Sequence, residues 1–119
     1  MASTVAHDSH NIIAVGASRT EIAQAINALI ASNGGIAICE ENTLQQLPLP
    51  VAGLMSTEPG EVVAQRYREL DLAAKALGSS LRAPFMTLSF MALLVIPSLK
   101  LSDKGLFDSE RLAFTPLRL

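Results

Sequence analysis

The chain has 119 residues, of which 50% are hydrophobic and only 17% are charged, and its formal net charge is −2. This composition excludes intrinsic disorder, which combines low hydrophobicity with high charge, and it fits one domain of ordinary size. The low net charge and the lack of any run of Lys or Arg argue against nucleic-acid binding. Because charged residues are few, we expect some apolar surface to meet a partner domain or subunit.

The sequence gives no sign of export or of membrane insertion. Its N-terminus lacks the basic start and apolar run of a signal peptide. Residues 83–99 form the longest uncharged stretch, but this stretch is short for a membrane span and is interrupted by Pro84 and Pro97. The single cysteine, Cys39, excludes an internal disulfide and a thiolate metal cage. We therefore expect a cytoplasmic protein.

The first third of the chain predicts a strand, a helix and a second strand. Residues 11–15 form a continuous apolar run, which is typical of a strand covered on both faces. Ser18 and Glu21 have the spacing of a capping box, and apolar residues follow at helical spacing until the Asn-Gly-Gly sequence at 33–35. Residues 36–39 predict a buried strand, so we expect a right-handed crossover that connects a parallel pair.

The middle of the chain predicts a strand and a long helix. Residues 43–47 predict a strand antiparallel to the preceding one, ended by two prolines that cannot donate to a ladder. The helix opens near Pro59, with Ser56 or Thr57 as its expected cap, and Gly78 ends it. Its predicted apolar stripe consists of Val63, Tyr67, Leu70, Ala74 and Leu77.

The last third is less regular. Residues 85–91 fit either a helix begun by Pro84 or a strand, because periodicity alone does not separate the two. The remaining predicted elements are extended segments at 95–97 and 99–101, a turn at 103–105 and a strand at 112–114. All elements together predict a single compact α/β domain over residues 1–119, with one mixed β-sheet, a strand-helix-strand crossover and about two long helices.

The densest group of reactive side chains runs from His7 to Asn11. Two imidazoles and the Asp8 carboxylate between them can supply metal ligands or a general base. The spacing is not a recognised zinc pattern, and a polar entrance to the following strand explains the same residues. We take His7, Asp8, His10 and Asn11 as candidates for side chains that face an active site.

A second candidate region is the loop that contains Gly53 and Ser56. A glycine and a serine in an apolar context can let a ligand approach the backbone closely, which makes them candidate substrate-loop residues. A tight connection that caps the next helix is the alternative interpretation. The chain has no Gly-rich phosphate loop and no nucleophile elbow, so we assign no catalytic residue and no metal ligand within it.

Four segments taken in order resemble one family, the C-terminal domain of bacterial adenine deaminase. They are residues 6–12 (AHDSHNI), 47–56 (LPLPVAGLMS), 84–90 (PFMTLSF) and 95–106 (VIPSLKLSDKGL). The resemblance runs from about Thr4 to Leu117. One departure is Leu94, where the family pattern has a proline.

The resemblance implies an accessory role beside a metal-dependent amidohydrolase barrel, in cis or in trans. Such an enzyme converts adenine and water to hypoxanthine and ammonia, and manganese or iron is implied for the binuclear centre of its barrel. This centre typically uses about four histidines, whereas the present chain has two. A (β/α)-barrel also needs at least about 200 residues. We therefore expect this chain to bind no cofactor itself and to be inactive alone.

Two hypotheses remain open from the sequence. The first is an accessory domain of adenine deaminase, either as a fragment or as a separately encoded piece. The second is a freestanding structural module that self-associates through an apolar face. Under either hypothesis we expect a homo-oligomer.

Overall fold

The computed structural model describes residues 1–7 and 11–117, and in this part of the chain three helices and seven strands form. In chain order they are β1 (Ala2–Ser3), β2 (Ile13–Ala14), α1 (Arg19–Ala31), β3 (Gly35–Glu40), β4 (Thr43–Pro48), α2 (Gly60–Ala76), α3 (Pro84–Met91), β5 (Leu99–Ser102), β6 (Gly105–Asp108) and β7 (Ala113–Phe114). The predicted α/β class, the crossover helix and the two long helices are confirmed.

The first sheet has the strand order β2-β1-β3-β4, and each hydrogen-bonded pair in it is antiparallel. The predicted direct pairing of β2 with β3 is wrong, because β1 lies between them. Ala2 of β1 faces Ala14 of β2 on one side and Ala37 of β3 on the other. β2 and β3, which flank β1, therefore run in the same direction, and the α1 crossover between them spans two strand spacings. β2 is also shorter than the predicted 11–15.

Helix α1 begins and ends where the sequence predicted. The Ser18 hydroxyl accepts a hydrogen bond from the Glu21 backbone N–H at 3.4 Å, which is the cap half of the capping box. Past the C-cap Ser32, Asn33 and Gly34 adopt positive φ values of 58° and 117° and turn the chain into β3. Leu29 is buried, whereas the next residue, Ile30, is exposed.

Strand β3 is covered on both faces, which explains its continuous apolar run. Ala37 and Cys39 pack with Leu29 of α1 on one face. Ile36 and Ile38 pack on the other face with residues of β4, α2 and α3, namely Leu47, Leu49, Leu70, Ala74 and Phe85. The core thus consists of two layers, with α1 on one side of the sheet and α2 with α3 on the other.

Two details of helix α2 differ from the prediction. Pro59 is the N-cap and no side chain caps the helix, so the predicted cap at Ser56 or Thr57 is wrong. The Ser56 hydroxyl instead accepts from the Glu58 N–H at 3.1 Å, in a turn that precedes the helix. Leu77, the last residue of the predicted stripe, is exposed because the helix has already ended there.

The last third of the chain forms a short helix and a separate sheet. Residues 84–91 are helical with Pro84 in the first turn, which settles the alternative left open by periodicity. Residues 94–98 form turns and bends, so the predicted extended segment at 95–97 is wrong. Strands β5, β6 and β7 form an antiparallel three-stranded sheet, and the expectation of one sheet is therefore corrected to two. Among the described residues, no helix has the length and apolar character that a bilayer span requires.

A close backbone contact joins the turn after α1 to the loop after β4. The Thr4 hydroxyl donates to the Gly53 carbonyl O at 2.6 Å and accepts from the Gly35 N–H at 2.8 Å. A Cβ at Gly34 would lie 2.4 Å from the Gly53 Cα, so only glycine fits there. Thr4 and these glycines therefore connect β1, β3 and the 51–55 loop.

We predict that Gly34→Ala lowers the free energy of unfolding by more than about 3 kcal/mol, because the added methyl group meets backbone that cannot move aside. Gly78→Ala is the matched control. Gly78 also has positive φ, but nothing lies within 4 Å of its Cβ position, so backbone strain of about 1 kcal/mol is the expected cost. Urea unfolding measures both variants, and equal losses would contradict the close-contact argument.

Candidate functional site

The predicted site residues lie in two loops of the fold. His7 and Asn11 lie between β1 and β2, whereas Gly53 and Ser56 lie between β4 and α2. Asp8 and His10, the other two members of the predicted cluster, lie outside the described residues. The structure therefore places one residue at each end of the cluster.

The His7 imidazole packs against the ring of Phe90 in α3. The ring centroids are 3.9 Å apart and the ring planes are tilted by 42°. Such offset aromatic contacts contribute about 0.5–1.5 kcal/mol beyond the area they bury. This contact holds the chain after β1 against the outer side of α3. Nothing in the sequence marks these two residues, which are 83 positions apart, as neighbours.

Asn11 borders a cleft of about 350 Å³ that three segments of the chain enclose. The walls are mainly apolar, and the polar groups at the cleft are Asn11, Ser102 and Asp103. The Ser102 hydroxyl is engaged in the β5–β6 turn, where it donates to the Gly105 carbonyl O and accepts from the Lys104 N–H. The cleft thus combines apolar walls with an amide and a carboxylate. Its lining residues are Asn11, Ile12, Ile13, Met91, Ala92, Leu94, Leu101, Ser102 and Asp103.

A second cleft, of about 530 Å³, shares the wall formed by Ile13 and Met91 with the first. Its described lining contains no titratable side chain, and its polar side-chain groups are the hydroxyls of Ser79 and Thr87. Val15, Leu81 and Met91 line it and are exposed. No described side chain there can act as an acid or a base. The role that fits this cleft is therefore contact with an apolar protein surface.

The loop with Gly53 and Ser56 has a structural role in the fold. Gly53 adopts a φ of +72° and its carbonyl accepts from Thr4, while Ser56 holds the turn before α2. These contacts match the interpretation as a tight connection. The role of Gly53 and Ser56 as substrate-loop residues stays a prediction.

The described residues do not fit the binuclear metal centre that the resemblance implies. In residues 1–7 and 11–117, no group of three or more His, Cys, Asp or Glu side chains lies close enough together to hold a metal ion. Cys39 is buried, and its thiol donates to the Gln24 side-chain oxygen at 3.0 Å. No catalytic step through a metal is therefore assigned to this chain.

Burial raises the pKa of Tyr67, and the nearby Asp71 raises it further. The Tyr67 ring packs against Phe85 between α2 and α3, with ring centroids 6.2 Å apart. This shift therefore results from helix packing, and Tyr67 lines neither of the two clefts.

Comparison with known proteins shows a match along almost the whole chain. Residues 1–113 match the family described as adenine deaminase C-terminal domain. The chain is 58% identical over 117 residues to an adenine deaminase of Methanosarcina mazei, with 98% of this chain and 21% of the relative covered. Adenine deaminases of Salinibacter ruber and Brucella abortus are 58% and 51% identical over 115 residues, covering 96% of this chain and 21% and 20% of the relatives.

The chain spans about a fifth of the length of the curated relatives that it matches. The match includes the segments at both clefts and at the His7–Phe90 contact. This chain belongs to the adenine deaminase C-terminal domain family.

Proposed function

We propose that this chain serves as the C-terminal accessory domain of an enzyme that hydrolyses adenine to hypoxanthine and ammonia. The observation that carries the proposal is the 58% identity over 98% of the chain to a protein named adenine deaminase. Four-fifths of that relative lie outside the matched region. The catalytic domain, in our proposal, belongs to that larger part.

The reaction replaces the exocyclic amino group of adenine with an oxygen from water. It requires an activated water molecule and groups that move protons to the leaving ammonia. The described part of this chain offers no cluster of ligands for activating water. We therefore assign both the metal and the proton transfers to the catalytic domain. The resemblance implies that this metal is manganese or iron.

The segment from His7 to Asn11 is the part of this chain that we propose to face the catalytic domain. Its first residue is held on α3 by Phe90, and its last residue borders the cleft of about 350 Å³. A polar run beside apolar surface loses hydration when a partner covers it, and this cost is tolerated where the groups find hydrogen bonds. Shaping the purine site or its entrance would provide such partners.

A freestanding module that self-associates is the second candidate function. The observation that favours it is the number of large apolar side chains exposed on this chain, among them Leu101 and Leu117. For this candidate we propose that the chain forms a homo-oligomer and that it is located in the cytoplasm. A genome that encodes this chain without any adenine deaminase barrel would favour this candidate.

We predict that the purified chain does not deaminate adenine, because residues 1–7 and 11–117 contain no ligand set for a metal centre. The chain is incubated with adenine and excess manganese, and conversion to hypoxanthine is followed by ultraviolet absorbance. The full-length Methanosarcina mazei relative, treated identically, is the positive control. Turnover by this chain above the buffer blank, in protein free of host deaminase, would contradict the prediction.

We also predict that His7→Asn, made at the matching position of a full-length relative, lowers kcat/KM by about 10- to 100-fold, as loss of a supporting polar group at a metal site does. His7→Phe is the matched control for packing, since it keeps a ring against Phe90 but removes both nitrogens. Activity, metal content and thermal midpoint are measured for both variants.

An active-site role for His7 requires both variants to lose activity while His7→Phe keeps the metal content and the thermal midpoint of the parent enzyme. Full activity in His7→Phe together with a lowered midpoint in His7→Asn would show that the ring contact alone matters. That result would support the alternative interpretation, in which these residues are simply the polar start of the following strand.

A further inference from the structure

We propose that the outer side of α3 together with the β5–β6–β7 sheet is the surface through which this domain docks on the catalytic part of the deaminase. We call this region the docking surface. The inference rests on the proposed function, since it takes the partner to be the rest of the same enzyme.

Helix α3 is apolar on the side that faces the core and on the side that faces away from it. Phe85 and Leu88 are buried against the first sheet and α2, whereas Met86, Phe90 and Met91 are exposed. A surface helix normally carries charged residues on its outer face, and a helix that is hydrophobic on all sides is typical of a buried position. The two hydroxyl groups of α3, on Thr87 and Ser89, donate to backbone carbonyls of the same segment. Residues 83–99 contain no charged side chain at all. The outer side of α3 therefore has the composition of a covered surface.

The second sheet has apolar side chains exposed on both of its faces. Leu99 and Leu101 alternate along β5 and share one face, on which Leu106 stands directly opposite Leu101. Phe107 and Phe114 pair on the opposite face, and Phe114 is about half exposed. A sheet in a single soluble domain ordinarily covers at least one face with its own core. Among the described elements, no helix packs extensively on either face of this sheet.

The exposed apolar side chains are concentrated in the last third of the chain. Ten of the 17 large apolar side chains that are exposed in the described residues lie at position 81 or later. Others lie singly, such as Ile30 on α1, Leu44 on β4 and Leu72 on α2, and single exposed apolar residues of this kind are normal on protein surfaces. The apolar region around α3 also includes the two clefts, which Ile13 and Met91 border, and the Phe90 ring beneath His7.

The occupant that fits is the remainder of the deaminase rather than a second copy of this chain. About four-fifths of each relative lies outside the matched region and is joined to it covalently. A covalently attached partner has an effective concentration of about millimolar, far above that of a second free chain. The docking surface also adjoins His7 and Asn11, so the same contact would bring these two residues to the catalytic domain.

Cysteine accessibility in the full-length Methanosarcina mazei relative tests the docking surface. Leu101→Cys is made at the matching position, and Ile30→Cys is the matched control, because Leu101 and Ile30 are 72% and 60% exposed in this chain. Both variants are also made in the 119-residue chain. The rate of labelling by a water-soluble maleimide is measured for all four proteins, with the unmodified proteins giving the background from native cysteines.

We expect the cysteine at position 101 to react at least about 10-fold more slowly in the full-length enzyme than in the short chain, and the cysteine at position 30 to react equally in both. Equal rates at position 101 in the two proteins would overturn the proposal. Protection at position 101 in the short chain that disappears on dilution, with no protection in the full-length enzyme, would also overturn it and identify a second copy as the occupant.

A parallel assay of adenine turnover separates this inference from the proposed function. An active full-length enzyme with fast labelling at position 101 refutes the docking surface and leaves the function intact. A protected position 101 in an enzyme that does not deaminate adenine refutes the function and leaves the docking surface intact. Leu101→Ser gives a second variant for turnover and thermal midpoint if the cysteine variant is obtained in low yield.

Discussion

The hydroxyl group of Thr4 and the close approach of Gly34 to Gly53 hold together three segments that are distant in the sequence. Thr4 donates to the Gly53 carbonyl and accepts from the Gly35 N–H, while the Gly34 carbonyl accepts from the Leu49 N–H at 3.0 Å. Buried polar groups that are fully paired in this way fix one arrangement of the backbone, since any other leaves a donor or acceptor unsatisfied. β1 is thereby held in the middle of the sheet, although it is only two residues long.

The position of β1 determines where the candidate site lies. The chain leaves the sheet after Thr4, and three residues later the His7 ring lies on Phe90. It returns at Asn11 beside the cleft and enters β2 at Ile13. His7 is therefore placed by its contact with α3, and Asn11 by the start of β2.

The distribution of polar and apolar groups differs between the two parts of this domain. The first sheet has helices on both faces and buries the two core clusters. The outer side of α3 and the second sheet lack such cover within the described chain. The docking that we propose would explain this difference, since about four-fifths of each relative lies outside the matched region.

Local chemistry in the sequence was sufficient for most elements. Rules for capping, for positive φ and for periodicity act over only a few residues. They were enough to predict the Ser18 cap, the Asn-Gly-Gly turn, helix α2 and the strands around residues 36–47. The four segments of family resemblance were likewise readable from the chain, and the family match confirms them. Even at Leu94, the departure from the family pattern, a turn forms.

The tertiary structure alone decided the insertion of β1 between β2 and β3, the separation of the second sheet and the contact of His7 with Phe90. The pairing of β1 with β3 joins residues 33 to 35 positions apart, the ring contact joins residues 83 positions apart, and β1 is too short to show any periodicity. The choice between helix and strand for residues 84–91 was also settled by packing, because a short, mainly apolar segment carries no periodic pattern that distinguishes the two. A sequence determines what each short segment favours, whereas the pairing of distant segments depends on which surfaces can be buried together.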